Sequence, residues 1–405
     1  MKRVLLLTLA LFVGILGYSQ SSAKLPAHLK DVAVKTEYKA PIKDQTSFNQ
    51  AVNPTVRSTT VAPNETIIGT TYYDLWSNSA VSNRISMHPD GTMGAVWIFG
   101  PEDDAPNFTN TRGTGYNFFD GSEWGPEPDE RLENTRCGWP SYDTWGLNGE
   151  INVAHNGTAG LEIMTRENRG TGDWTQENYL GPAGIENDPT WPRIVTSGDE
   201  NQYIHMMYNS YVEYEGQATA LLYSRSEDGG ETWDPQDEIL EGLGSDYYTE
   251  IGADSYVFAA RGDVVAILIA DAWYDLILMK SEDNGENWEK TVIWEHPYPF
   301  FDWEVTVTDT FFCVDNSGSV AIGPDGKCHV VFGMNRVLHA EVGTSYNLFP
   351  YVDGIGYWNE DMPVFSNDRD ALAGPQYEYA NSEMIEDYNY IGWTQDVDGD
   401  GEITL

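Results

Sequence analysis

A turn that ends in tryptophan recurs along the chain. It is Phe119 to Trp124, Asn168 to Trp174, Ser226 to Trp233, Ser281 to Trp288 and, in a looser form, Gly354 to Trp358. The successive tryptophans are 50, 59, 55 and 70 residues apart. Self-similarity at roughly this spacing is typical of folds in which one supersecondary unit is repeated and stacked.

A second turn recurs out of phase with the first, each time between two short apolar or alternating segments. Its five copies are His88 to Gly91, Leu147 to Gly149, Gly198 to Asn201, Arg261 to Asp263 and Gly323 to Gly326. Gly, Asp, Asn and Pro favour such turns, and the flanking segments are typical of strands. Two turns per repeat predict a four-stranded antiparallel unit, and the chain is therefore expected to be an all-β protein, a β-propeller of such blades.

Two of the tryptophan turns share the pattern S-x-D-x-G-x-x-W. They contain Ser226, Asp228, Gly230 and Trp233, and Ser281, Asp283, Gly285 and Trp288. The pattern resembles the Asp box, or bacterial neuraminidase repeat, of the sialidase-like β-propellers. In such a turn the Ser and Asp side chains are expected to bond backbone groups, Gly adopts a conformation that other residues avoid, and Trp packs under the turn. The resemblance implies a structural role at the blade periphery.

The organisation of the chain is predicted in three parts. Residues 1–19 have the basic start, apolar run and small residues of a signal peptide, residues 20–65 read as a flexible leader or linker, and residues 66–405 form the propeller. Five units and a strand-like tail at 376–405 predict six blades, the last incomplete or shared between the chain ends, with residues 67–76 supplying an outer strand. An unfinished blade would make the chain a C-terminally truncated fragment of a longer precursor.

Charge and hydropathy narrow the function classes. The apolar run Val4 to Leu16 has 13 residues, too short to span a bilayer, so we expect a secreted or cell-surface protein with no membrane insertion. From residue 67 onward there are 60 acidic and 14 basic residues, a formal net charge of −46, which excludes nucleic acid as a partner. This acidity indicates either solubility in a salty exterior or binding of divalent cations.

The resemblance to sialidases also implies where a catalytic site would lie. That family holds a substrate carboxylate with three arginines, one of them in an Arg-Ile-Pro motif, and uses a Tyr/Glu nucleophile and an Asp acid. Arg84-Ile85-Ser86 matches the motif except for the proline. Arg193 and Arg336 are the candidates for the other two arginines. Asp103 or Asp104 is the candidate acid, and Glu250 with Tyr247 or Tyr248 is the candidate nucleophile pair. Each arginine has the alternative of a surface or salt-bridging role.

Three further features each leave two interpretations open. Trp139-Pro140 and Trp191-Pro192 begin equivalent strands, and their rings would either pack between blades or stack on sugars. Among the three cysteines, Cys313 and Cys328 are the better candidates for a disulfide, with Cys137 a buried thiol. Asp396, Asp398 and Asp400 have the spacing of a calcium loop, or form an acidic turn between strands.

The sequence therefore predicts a secreted acidic propeller that binds glycan or protein on its central face, with no cofactor required and calcium as the one candidate ion. The alternative is a sialidase-type exo-glycoside hydrolase. The sequence does not set the oligomeric state.

Overall fold

The computed structural model of this chain describes residues 30–35, 65–73, 80–157, 159–343 and 345–393. Within these residues there is no α-helix, and short 3-10 turns lie at Glu102–Asp104 and Pro375–Tyr377. No helix of the described part is long and apolar enough to cross a membrane.

The strands form antiparallel sheets that follow one another along the chain, and we call the sheets blades 1 to 5. A short first strand, β1 (Val34–Lys35), precedes them and joins blade 5. Blade 1 contains β2 (Ile85–Met87), β3 (Met93–Phe99) and β4 (Gly113–Phe119). Blade 2 contains β5 (Gly138–Trp145), β6 (Gly149–His155), β7 (Leu161–Arg166) and β8 (Thr175–Tyr179).

Blades 3 to 5 continue the same pattern. Blade 3 contains β9 (Thr190–Ser197), β10 (Tyr203–Asn209) and β11 (Leu221–Ser226). Blade 4 contains β12 (Tyr256–Arg261), β13 (Val264–Ile269), β14 (Leu276–Ser281) and β15 (Glu289–Trp294). Blade 5 contains β16 (Phe311–Ile322), β17 (Cys328–Leu338), β18 (Asn347–Leu348), β19 (Gly354–Asn359) and β20 (Tyr390–Gly392).

Each blade pairs its strands in chain order, apart from β18, a short strand that joins β17 to β1. In blades 1 and 3 the fourth position is taken by single bridges, Phe119 with Trp124 and Tyr223 with Glu238. Runs of β-branched and aliphatic residues such as Val264–Ile269 form the middle strands because both faces of an inner strand are covered by neighbouring blades.

The blades are arranged radially, and the fold is an all-β propeller. The first strands of blades 2, 3 and 4 each contact the first strand of the next blade, and β5 also contacts all three strands of blade 1. Asp143 on β5 joins three blades, because it accepts hydrogen bonds from Ser86 Oγ (3.2 Å) and from the Thr196 backbone N–H (3.0 Å). Burial raises the pKa of the Asp143 carboxyl.

The structure confirms both predicted series of turns, except for the fifth copy of the turn that ends in tryptophan. The five turns of the second series each join the first strand of a blade to the second, and Trp124, Trp174, Trp233 and Trp288 each follow the third strand. The loose fifth copy was wrong: Gly354–Asn359 is itself the third strand of blade 5, so Trp358 lies within a strand and not after a turn.

The predicted disulfide was also wrong, and all three cysteines are free and buried. Cys313 and Cys328 do lie on paired strands, but Cys313 is opposite Asn335 and Cys328 is opposite Ile322. The two residues therefore sit at opposite ends of the hairpin, at least about 20 Å apart at the rise of a strand, whereas a disulfide needs Cα atoms within about 7 Å.

The chain ends pack differently from the prediction. In the tail, Tyr390–Gly392 pairs with β19 as the outer strand of blade 5 and does not begin a sixth blade, and residues 394–405 lie outside the described part. Residues 65–73 form no strand and lie against blade 1, where the Tyr72 N–H donates to Gly100 O (2.7 Å). In the predicted leader, β1 pairs with β18. The count of six blades stays a prediction, as does the signal peptide, whose residues are outside the described part.

Candidate functional site

The first strands of the blades begin at one end of the propeller, and we call this end the central face. The Asp-box-like turns lie at the opposite end, since they follow the third strand of each blade, and we call that the turn end. On the central face, the segment Ala80–Arg84 crosses from blade 1 toward blade 4. There the Ala80 N–H donates to Asp254 O (2.9 Å), and the Ser82 hydroxyl donates to Pro140 O (2.9 Å).

Two of the predicted arginines converge on this face. Arg193 is buried at the start of β9, and its Nη2 donates to Asp254 Oδ1 (2.7 Å) and to Ala80 O (3.0 Å). Arg84 is half-buried, and its Nε donates to Ser82 Oγ (3.0 Å). Because Arg193 and Asp254 are buried, Arg84 is the charged member of the group that retains exposure.

The group contains two cations, Arg84 and Arg193. Burial and the neighbouring Arg193 cation lower the pKa of Arg84 to about 9, and Asp254 acts in the opposite direction. Arg84 is therefore still a cation at neutral pH. Two guanidinium groups lie around the Asp254 carboxylate, in a protein that is strongly acidic overall. A guanidinium binds a carboxylate or sulfate through a planar pair of N–H donors, so such a group suits an anion.

A pair of carboxyl groups lies in the same part of the face. Asp271 follows the buried strand β13, and it accepts hydrogen bonds from the Trp273 N–H (2.9 Å) and from Asn316 Nδ2 (3.2 Å). Burial, to which the charge of Glu250 adds, raises the pKa of Asp271 to about 7. Close to neutral pH, Asp271 thus exists in both protonation states and can exchange a proton. Glu250, the other carboxyl group of the pair, is half-buried.

The remaining predicted residues lie elsewhere. Arg336 on β17 donates to Lys30 O (2.7 Å) and Asp31 Oδ1 (3.1 Å), and it stacks over Phe349 (4.6 Å). In the described residues it shares no contact with Arg84 or Arg193. These contacts give Arg336 the salt-bridging role that was its alternative.

The predicted acids and the nucleophile pair are also separated. Asp103 is exposed in the 3-10 turn of blade 1, and Asp104 accepts from the Thr111 N–H (2.9 Å) and so fixes its own loop. The Tyr248 hydroxyl donates to Asp275 Oδ2 (2.7 Å), so the contacts of this tyrosine are at the edge of blade 4 and not with Glu250. Tyr247 is exposed beside it.

The tryptophans that begin β5 and β9 pack between blades, as their ordinary interpretation predicted. Trp139 and Trp191 are both buried, and His155 lies between them, stacked on Trp139 at 5.2 Å and edge-on to Trp191 at 6.1 Å. Both have left-handed backbone, with φ of 51° and 49°. A conformation this uncommon for a bulky residue turns each ring inward at the strand entrance, so neither ring offers a surface for a sugar.

Sequence reasoning missed Asp254 and Asp271. A signal for Asp271 was present in the sequence, since this carboxylate follows the apolar run Val264–Ile269 after one alanine, at the end of a buried strand. No pattern in the sequence indicated Asp254, because its role depends on Arg193, which is 61 residues away in the chain.

Metal binding was predicted at Asp396, Asp398 and Asp400, which lie outside the described residues. In the residues that the structure does describe, no group of three or more His, Cys, Asp or Glu side chains could hold a metal ion.

No protein-family model matches this sequence, and no curated protein sequence is significantly similar to it. Among solved structures, an ulvan lyase of a polysaccharide lyase family aligns with a TM-score of 0.40 and 11% identity, covering 72% of each chain. The Trypanosoma rangeli sialidase bound to the inhibitor DANA aligns with a TM-score of 0.32 and 13% identity, covering 69% of this chain and 55% of that one.

An α-L-arabinofuranosidase from Fusarium graminearum, solved with an iminosugar inhibitor, aligns with a TM-score of 0.34 and 12% identity over 57% of this chain. The present chain spans 65% of the length of that enzyme. At these levels the alignments carry no functional argument, and the propeller assignment rests on the strand order and blade contacts of this chain.

Proposed function

We propose that this chain is an exported propeller that binds an acidic glycan on its central face, with Arg84 as the ligand-facing cation and Arg193 behind it. The observation that carries the proposal is the pair of guanidinium groups held around one carboxylate, Asp254. In a chain with a formal charge of −42, a cationic group that is partly exposed on this face favours an anion over a neutral ligand.

Arg193 and Arg84 have different roles in the group, and this difference supports the proposal. Asp254 and the Ala80 carbonyl hold Arg193 in place, and Arg193 in turn adds positive potential beside Arg84. Arg84 donates to Ser82 Oγ through its Nε, and a guanidinium carries five N–H donors in one plane. A uronate or sialate carboxylate, or a sugar sulfate, has the charge and the geometry that such a guanidinium accepts.

The test is titration calorimetry of the purified protein with 3′-sialyllactose and with trigalacturonate, and with lactose as the uncharged control. Charge-assisted hydrogen bonds contribute about 1.5–3 kcal/mol, so Arg84→Ala is expected to weaken binding of the acidic ligands by roughly 10- to 100-fold. Arg84→Lys should retain part of the affinity, because it keeps the charge and loses the planar donor pair.

Arg369→Ala is the matched control, because Arg369 is an exposed arginine paired with Asp309 on blade 5. It should leave the affinity unchanged. Equal affinity of native protein for lactose and sialyllactose, or no effect of Arg84→Ala, contradicts the proposal.

The alternative is a sialidase-type exo-glycoside hydrolase, and one observation favours it. Asp271, with a pKa of about 7, is suited to donate a proton at neutral pH. Against it stand the separate positions of Arg336 and Tyr248. A fluorogenic sialoside distinguishes the two: turnover by the native protein that disappears in both Asp271→Asn and Arg84→Ala would establish the hydrolase.

A further inference from the structure

A cleft at the outer edge of blade 4 lies away from the central arginines. It has a volume of about 550 Å³, and we call it the blade 4 cleft. Its polar and aromatic lining includes Asp246, Tyr247, Asp275, Lys290, Glu295 and Phe300. These residues come from the loop before blade 4, from the loop between β13 and β14, from β15, and from the loop that follows β15.

Two aromatic rings on the cleft are left in contact with solvent. Tyr247 is 50% exposed and Phe300 is 53% exposed. Phe300 also has a left-handed backbone, with φ of 52°, which is uncommon and costly for a bulky residue. Strain of this kind is found at sites where the surrounding structure fixes a side chain for binding. A flat, half-exposed ring offers its face to the C–H groups of a sugar ring.

The floor of the cleft is held in a single arrangement. Lys290 Nζ donates to Gly242 O (2.9 Å) and to the Tyr248 hydroxyl (2.7 Å), and it lies 4.9 Å from the centre of the Tyr247 ring. Asp275 accepts the His296 N–H at Oδ1 (2.8 Å) and the Tyr248 hydroxyl at Oδ2 (2.7 Å). A floor fixed by these bonds loses little conformational entropy when a ligand binds.

The charge of the cleft selects against the ligand proposed for the central face. Asp246, Asp275 and Glu295 oppose a single cation, Lys290, which gives a formal charge of −2. An anionic sugar would be repelled, whereas the hydroxyl groups of a neutral sugar can donate to exposed carboxylates such as Asp246 and Glu295. We infer that the blade 4 cleft binds a neutral pyranose unit, stacked on Tyr247 and Phe300.

The inference is tested with neutral tetrasaccharides, namely cellotetraose, laminaritetraose and xylotetraose, by saturation-transfer NMR and calorimetry on the full chain. We expect the native protein to bind at least one of them and to transfer saturation to the sugar C–H protons. Tyr247→Ala and Phe300→Ala should each weaken that binding about 5-fold or more, and trigalacturonate should not compete for the cleft.

Tyr388→Ala is the matched control, because Tyr388 is an exposed tyrosine on blade 5, 44% exposed. It should leave the binding unchanged, and melting temperatures should be equal for all three variants since the replaced rings are half exposed. Lack of binding of all three tetrasaccharides at about 10 mM, or equal affinity in Tyr247→Ala, Phe300→Ala and native protein, overturns the inference.

The two glycan proposals fail separately. Arg84→Ala is expected to keep its affinity for the neutral tetrasaccharide, and Tyr247→Ala its affinity for the acidic trisaccharide.

Discussion

The turn end and the central face are built from different kinds of contact. At the turn end, Ser226 Oγ donates to Asp228 Oδ1 (2.9 Å), and the Gly230 N–H donates to Ser226 Oγ (2.8 Å), all within five residues. On the central face, Arg193 reaches Asp254, 61 residues later in the chain, and Ser82 reaches Pro140, 58 residues later. The turn end is thus specified locally, and the central face only when the blades assemble.

The second Asp-box-like turn repeats the local arrangement. Ser281 Oγ donates to Asp283 Oδ1 (2.8 Å), the Gly285 N–H donates to Ser281 Oγ (2.8 Å), and the Asn287 N–H donates to Asp283 Oδ1 (2.9 Å). Gly285 has φ of 82°, which explains the glycine in the pattern. Because these hydrogen bonds join residues of one turn, the same turn can form in several blades independently of the rest of the fold.

Breaking the buried ion pair of the central face is expected to lower the free energy of unfolding more than any substitution at the turn end. Arg193→Met removes the buried cation that lies 2.7 Å from the Asp254 carboxylate, and removing one partner of such a pair costs about 3–5 kcal/mol of unfolding free energy. Chemical denaturation measures this loss. Adding Asp254→Asn should restore part of it, since Asn also tolerates the left-handed backbone of residue 254. No recovery in the double variant would contradict the pairing.

The pH dependence of stability is expected to have opposite sign at the two ends. Burial raises the pKa of Asp271 on the central face from 3.8 to about 7, so its contribution to stability is fully present only below pH 3.8 and is lost as pH rises from there through 7. Burial, to which the charge of Arg225 adds, lowers the pKa of His205 to about 3. His205 lies against the Ser281–Trp288 turn, beside Gly285, and its contribution is lost as pH falls below 6.5.

Two variants separate these opposing slopes. In the native protein, Asp271 is expected to lower the free energy of unfolding by up to about 1.4 kcal/mol for each unit that pH rises between 5 and 7, and Asp271→Asn should abolish this decrease. His205 is expected to lower the free energy of unfolding as pH falls over the same range, and His205→Gln should abolish that decrease. Denaturation at half-unit steps of pH measures both. A native curve whose shape is unchanged in either variant would contradict the corresponding assignment.

The contrast between the ends also explains which features the sequence predicts. The turns at Ser226 and Ser281 could be predicted because Ser, Asp, Gly and Trp act within one turn. Arg84 and Arg193 could be nominated, but their convergence depends on the packing of blades 1, 3 and 4. The error at Cys313 and Cys328 has a different origin, because the predicted turn Gly323 to Gly326 fixes the register of the hairpin and puts Cys328 beside the turn and Cys313 ten residues before it.

A smaller effect is expected at the turn end. Asp228→Ala and Asp283→Ala each remove hydrogen bonds within an exposed turn, and each should lower the unfolding free energy by about 1–2 kcal/mol. Thermal melting measures the change. Glu231→Ala, which alters an exposed residue of the same turn, is the control and should melt like the native protein. Equal melting of all three variants would show that these bonds do not stabilise the fold.

The most direct test of the account is the dissociation constant for trigalacturonate, measured in parallel for native protein, Arg84→Ala and Asp228→Ala at a temperature where all are folded. We expect Arg84→Ala to weaken binding roughly 10- to 100-fold and Asp228→Ala to bind like the native protein. Loss of binding in Asp228→Ala with native affinity in Arg84→Ala would contradict it, because the ligand site would then belong to the turn end.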